Sequence, residues 1–271
     1  MGLFENMQDW EAYHKAASVN ELKPTLNYKK FDVDKLTLNL IGDSHIGSKY
    51  FDEDLFKEII EWTYENNTPC ILMGDMIETA TRNSVGAGVY EQQEIVQEQL
   101  EHFYYLIRPL AEKKLILGIH PGNHELRIFK DSGLNITKMM SKELKIPYLG
   151  WGKLHYFKVG KEGYTMYTTH GSSGARLAYT KIKGALNLSN LADAEIYAMG
   201  HVHQLSHHVQ NFYSIDKRSR TVKESQKHFI LTGSFLNHWG SYGHVKSYEP
   251  MRKGSPKVKL GGLEHSIRVS I

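Results

Sequence analysis

Cysteine is almost missing from this 271-residue chain. A single one, Cys70, cannot close an internal disulfide, so no disulfide framework holds the fold and a reducing compartment, the cytoplasm, is expected. The same scarcity removes a closed structural zinc site built on thiolates. No apolar run approaches the roughly 20 residues of a membrane-spanning helix, so no membrane partner is expected. The opening Met1-Gly2-Leu3-Phe4-Glu5-Asn6 lacks the basic start and apolar core of a secretory leader, and Met7 does not fit a myristoylation signal. Nor is charge of one sign in large excess, since the net charge is +3. Its distribution is uneven, however. From Asp216 onward eleven Lys/Arg face four Asp/Glu, whereas the first 215 residues hold 22 against 26. A basic C-terminal segment suits a polyanionic partner or, equally, a solvated lysine-rich surface.

What the chain does have is alternation. The apolar run Leu36 to Ile41 reads as a buried strand, and Leu55, Ile59, Ile60 and Trp62 give a helical stripe. Cys70 to Met73 is a second strand, about Tyr90 to Lys113 a long helix, and Leu115 to Ile119 a third strand. A short helix near Asn135 to Leu144 follows, then strands at Leu154 to Val159 and Tyr164 to Thr168, a helix over about Arg176 to Leu188 and a strand at Glu195 to Met199. Beyond about residue 205 only short strands are expected, at Leu205 to Phe212, His228 to Leu231 and His265 to Val269. Strand and helix in turn argue for an α/β fold at its boundary with α+β, with right-handed crossovers. Residues 1–35 read as a helical appendage interrupted by Pro24, and residues 36–271 as the main domain with a basic, β-rich end.

Five strand ends carry chemistry: Asp43-x-His45, Gly74-Asp75, Gly122-Asn123-His124-Glu125, His170 and Gly200-His201-x-His203. Most include a glycine that lets the backbone turn sharply after an apolar strand. C-terminal strand ends are where open α/β sheets place their sites. Carboxylates, imidazoles and one amide oxygen form a donor set for a first-row metal such as manganese, iron or zinc, whereas magnesium and calcium prefer oxygen alone. Seven donors are too many for one ion and suit two that share a bridge.

From Leu36 to about His203 this order resembles the calcineurin-like metallophosphoesterase superfamily, which includes Mre11-type nucleases and phosphodiesterases. The resemblance implies a four-layer αββα sandwich of two mixed β-sheets flanked by helices, with the metal cleft at one end. It implies Asp43, His45 and His203 as ligands of one metal, Asn123, His170 and His201 of the other, and Asp75 as the bridge. It implies His124 as the catalytic imidazole near the scissile phosphate, and a bridging hydroxide as nucleophile. Two divalent ions are expected, manganese favoured, with iron, zinc, nickel or magnesium as alternatives.

Arg82, Asn83, Arg127, Asn123 and His238 are candidates for substrate binding, against the plain alternative of surface ion pairs and loop polarity. His120 is a candidate for the cleft lining. Glu78 and Glu125 are expected to orient imidazoles from behind. Ser172-Ser173-Gly174 is read as a helix start whose free amides can hold an anion. The basic tail and its aromatic residues Phe235, Trp239, Tyr242 and Tyr248 favour a phosphodiester of nucleic acid or a nucleotide as substrate. A phosphomonoester of a metabolite or phosphoprotein is the rival, and a catalytically silent scaffold a further one. The sequence leaves a homo-oligomer open.

Overall fold

The computed structural model describes residues 24–81, 84 and 88–271. Two mixed sheets face each other. One holds, in order, β11 (Ile267–Ser270), β10 (Lys257–Gly261), β2 (Lys35–Ile41), β3 (Cys70–Leu72) and β4 (Ile116–Ile119). The other holds β1 (Leu26–Phe31), β5 (Gly152–Val159), β6 (Glu162–Thr169), β7 (Ile196–Met199), β9 (Thr221–Thr232) and β8 (Leu205–Asp216). Strands β2, β3 and β4 run parallel, as do β6, β7 and β9.

The period-two pattern of each strand decides which layer its side chains enter. Leu36, Leu38 and Leu40 of β2 point between the sheets, where they meet Phe157, Met166, Ile196 and Ile230. Ile41, Cys70, Leu72 and Ile116 point outward against helices α1 (Glu53–Glu65), α2 (Val96–Glu112) and α4 (Ile136–Glu143). On the far side Tyr197, Met199, Phe229 and Leu231 turn outward and meet Ala185 of α5 (Ala178–Leu186). These three clusters are the three interfaces of a four-layer αββα sandwich. Cys70 is fully buried, and burial pushes its thiol up to about 12, so it is an inert core residue. No helix among the described residues is long and apolar enough to cross a membrane.

Two expectations change. Residues 26–31 do not belong to a helical appendage. They form β1, paired in parallel with Leu154–Val159 at the sheet edge. Their burial alternates with period two, and Phe31 packs beneath the inter-sheet core, a pattern that only an extended strand can make. Residues 1–23 lie outside the described residues. β10 was also hidden: its Lys-Val-Lys-Leu alternation buries Val258 and Leu260 against β2.

The tail forms a long ribbon. β8 and β9 pair over twelve residues, from Leu205 opposite Thr232 to Asp216 opposite Thr221. Only His228 to Leu231 of β9 lie beside β7, and in the same direction. The segment 221–227 therefore runs off the N-terminal end of β7, away from the end that carries His201 and His203. Lys217, Arg218, Arg220 and Lys223 travel with it.

Candidate metal centre

All five chemical motifs sit at C-terminal strand ends: after β2, β3 and β4 in one sheet and after β6 and β7 in the other. The loops are tied to one another by backbone bonds, Asp43 N–H to Gly74 C=O at 2.9 Å and His45 N–H to Asp75 C=O at 3.1 Å. Close approach leaves no room for side chains at the glycines. A Cβ at Gly122 would fall on Asp75 Oδ1, and one at Gly74, where φ is +91°, would stand 2.9 Å from His170 Nδ1. Five donors, Asp43, His45, Asp75, His201 and His203, themselves have φ between 50° and 70°. Left-handed backbone at a non-glycine residue costs on the order of 1–3 kcal/mol and gathers at functional sites.

The strand ends bring together three groups of metal-binding capacity: Asp43 with His45 and His203, His45 with Glu78 and His124, and Asp75 with His170 and His201. In the first, His203 Nε2 lies 3.3 Å from Asp43 Oδ1 and 3.1 Å from His45 Nε2. In the last, His170 Nε2 lies 3.2 Å from Asp75 Oδ2 and 3.0 Å from Asn123 Oδ1, and His201 Nδ1 lies 2.5 Å from the same amide oxygen.

Outer hydrogen bonds fix which nitrogen faces inward. His45 Nδ1 donates to Glu78 Oε2 at 2.9 Å, His170 Nδ1 to the Met73 carbonyl at 2.9 Å and His201 Nε2 to the Ser173 carbonyl at 3.2 Å. In the neutral ring the remaining nitrogen then carries a lone pair. His170 Nε2 and His201 Nδ1 are turned toward carboxylate or amide oxygens that are also acceptors, and His45 Nε2 faces His203 Nε2. Acceptors this close repel one another unless a cation or a proton stands between them. The donor set thus fits divalent metal, with nitrogen and oxygen mixed as first-row ions prefer.

The charges agree. Burial opposes ionisation of Asp75, yet His170, His124 and His45 around it hold its carboxyl well below the ordinary range. Burial likewise opposes a charge on His170, but Asp75, Asp43 and Glu125 outweigh it and push its pKa up to about 10. The pocket draws positive charge inward, as a proton on His170 when nothing else supplies it.

His124 and Arg127 occupy the first turns of α3 (Asn123–Ser132), which begins at the motif itself, with Gly122 as its N-cap. His124 Nδ1 donates to the Glu78 carbonyl at 2.7 Å, and Arg127 Nη2 donates to His124 Nε2 at 2.8 Å. His124 Nε2 is 3.9 Å from Asp75 Oδ2. Burial pushes its pKa down to about 4, so in this environment the imidazole is neutral.

The cleft over the cluster has a volume of about 360 Å³, and its walls include Arg127, Lys181, His238, Tyr50, Tyr248 and Glu249. Arg127 and His238, two of the residues considered for substrate binding, line this cleft, while Arg82 and Asn83 lie outside the described residues.

Other expectations are overturned. Glu125 orients no imidazole: its two oxygens accept N–H from Gly122, Asp75, Met76 and Ile77 at 2.7–3.3 Å and so brace two ligand loops together. His120 is fully buried behind the site rather than lining the cleft. Residues 172–177 form no helix start, because α5 begins only at Ala178; Ser173 contributes its carbonyl to His201 instead. Phe235 is a core residue, edge-on to Phe56 at 4.9 Å, and Trp239 stacks on His244 outside the cleft. The side chain of Tyr242 lies outside the described residues. None of the tail's lysines or arginines lines the cleft, so its basic surplus lies outside the cleft walls.

Sequence reasoning missed Lys181 and the Ser173 carbonyl; a lysine one helical turn before a buried alanine was the only signal for the first. No protein-family model and no curated protein matches the chain. Among solved structures it is similar to a conserved uncharacterised protein of Streptococcus pneumoniae TIGR4 described as a predicted phosphoesterase, at 11% identity over 87% of this chain and 97% of that one, with a TM-score of 0.37. It is also similar to a double mutant of Vps29 from Entamoeba histolytica, at 13% identity over 87% of this chain and 97% of that one, with a TM-score of 0.38. Two mixed sheets with flanking helices, and donors in the expected order at their strand ends, carry the resemblance to the calcineurin-like metallophosphoesterases.

Proposed function

We propose that the chain is a phosphoesterase that works with two divalent ions, manganese favoured, and hydrolyses a phosphodiester of a nucleic acid or nucleotide. The observation that carries this reading is the inward turn of one ring nitrogen on each of His45, His170 and His201, fixed from outside by hydrogen bonds of the other nitrogen to Glu78, the Met73 carbonyl and the Ser173 carbonyl. Asp43, His45 and His203 would hold one ion, Asn123, His170 and His201 the other, and Asp75 would serve both. Bound there, the pair supplies positive charge against an anionic ester and lowers the pKa of a water molecule.

The chain's own residues do the rest. Glu125 holds the Asp75 loop and the start of α3 at a fixed separation, so both ions would be presented to one phosphate. Arg127 has a guanidinium able to fork onto phosphate oxygens. It donates to His124 Nε2 in the absence of substrate, which orients the imidazole, kept neutral chiefly by burial, beside Asp75. An anionic phosphate in reach of both would draw Arg127 to itself and raise the His124 pKa, since a nearby negative charge favours the imidazolium. His124 is then placed to give a proton to the leaving oxygen. Tyr50, Tyr248 and His238 line the same cleft, where the base of a nucleotide would lie.

Purified protein with manganese, offered bis(p-nitrophenyl) phosphate, p-nitrophenyl phosphate and single- and double-stranded DNA, tests the reading. Hydrolysis of the diesters supports it. Hydrolysis of the monoester alone overturns the diesterase assignment, and no hydrolysis by metal-loaded protein overturns the enzyme.

A further inference from the structure

Lys181 lies on α5 one turn before Ala185, so the helix face that buries the alanine also turns the lysine inward. The residue is only 6% exposed and forms part of the wall of the cleft that contains Asp75, His124 and His201. A lysine usually covers apolar surface with its stem and leaves its ammonium in water; here little of the side chain reaches solvent, and what does opens on the cleft. Among the described residues no hydrogen bond or ion pair reaches its ammonium. It does not pair with Asp43 or Asp75, so it stands off from the cluster where the scissile phosphate would sit. Glu249, exposed on the same cleft, is the acidic group whose field it feels. Burial lowers its pKa and the glutamate opposes this. A buried cation without a partner is expensive for a fold to keep unless something fills the space beside it.

We propose that Lys181 binds a second phosphate of the substrate, next to the one that is cleaved. The inference rests on the phosphoesterase reading and sharpens it. Diester substrates that carry a flanking or terminal phosphate, as oligonucleotides and 5′-phosphorylated dinucleotides do, are preferred over diesters with a single anionic centre.

Lys181→Met tests this, with the manganese-loaded full-length protein. Three substrates are compared: a 5′-phosphorylated dinucleotide, the same dinucleotide without its terminal phosphate, and bis(p-nitrophenyl) phosphate. The variant should lose on the order of tenfold or more in kcat/KM for the first relative to the third, through KM. The dinucleotide without the extra phosphate should fall with the third. Equal losses on all three substrates overturn the proposal. Binding is read separately by calorimetry, with a nucleoside 3′,5′-bisphosphate against the corresponding monophosphate. Lys181→Met should abolish the advantage of the bisphosphate, whereas Glu249→Gln, at an exposed position, should increase it. If Lys181 instead served the fold through Glu249, both variants would lower the melting temperature and leave the bisphosphate advantage intact, which overturns the proposal. Wild-type protein that binds the bisphosphate in preference but hydrolyses nothing would sink the phosphoesterase reading while supporting Lys181 as an anion site.

Discussion

Glu125→Gln separates the work of this side chain from that of the candidate metal ligands whose loops it braces. Oε1 accepts N–H from Met76 and Ile77 at 2.7 and 3.3 Å, and Oε2 from Asp75 and Gly122 at 3.1 and 2.8 Å. Glutamine keeps the shape but turns one oxygen into an amide nitrogen. Whichever way the amide lies, two buried backbone donors then face a donor. Each unsatisfied buried group costs about 1–3 kcal/mol, so the variant should lose about 2–6 kcal/mol. For a chain of this size that is a fall in Tm of roughly 4–24 °C. Burial, together with Asp75, pushes the Glu125 pKa up to about 7, so the comparison belongs at pH 8, where the carboxylate is ionised. Because the braced residues are the Asp75 loop and the N-cap of α3, manganese affinity should fall as well, though no ligand has been removed. Thermal unfolding and metal titration of the two proteins measure both effects. A Tm within about 2 °C of wild type, with unchanged manganese affinity, would refute the bracing role.

Two further tests concern the site and the core behind it. His124→Ala should retain manganese while turnover drops by about 10²–10⁴, the range for a lost general acid; metal analysis that finds the variant stripped would make His124 a ligand instead. Behind the site Asn27 donates to His155 Nδ1 at 3.1 Å, His155 Nε2 to Thr168 Oγ1 at 2.7 Å, Thr168 to His120 Nε2 at 2.7 Å and His120 Nδ1 to the Gly150 carbonyl at 2.7 Å. The chain runs one way and needs both rings neutral, and burial pushes His155 down to about 3 and His120 down to about 4. Both values lie below that of an unfolded histidine near 6.5, so stability is fully present above pH 6.5 and is lost as acid protonates the unfolded chain first. Denaturant melts of wild type and His155→Gln should converge by about 2 kcal/mol between pH 6.5 and 5, since one titrating group is gone from the variant. A constant gap would contradict the neutral relay.

Much of the site is legible in the sequence because its signal is local: an apolar run, then a donor, with a glycine close by. That pattern needs no knowledge of which sheet a strand enters, and five repetitions of it mark the ends that converge. The strands themselves follow wherever apolar residues dominate, as in Leu36 to Ile41. β1 escaped because only alternate residues are half-buried at a sheet edge, and its Lys29-Lys30 pair hides the period. What is non-local was not readable. The direction of the β8–β9 ribbon depends on β9 pairing with β7, and it carries the tail's basic residues away from the cleft that their charge seemed to suit. Glu125 looked like one more acid near imidazoles, while its partners are backbone groups from two loops about fifty positions apart in the chain. Likewise, the left-handed backbone at Asp43, His45, Asp75, His201 and His203 was not readable: aspartate and histidine enter that conformation more often than most residues, but nothing in the sequence says at which positions they do.

The central claim is that the strand-end donors hold two ions around a shared Asp75. Metal analysis of protein dialysed against manganese, paired with anomalous scattering from crystals of the same material, measures this directly. The account predicts two manganese ions per chain, one beside Asp43, His45 and His203 and one beside Asn123, His170 and His201, both lost in Asp75→Asn. Less than one ion per chain, or ions bound elsewhere and indifferent to Asp75, would contradict it.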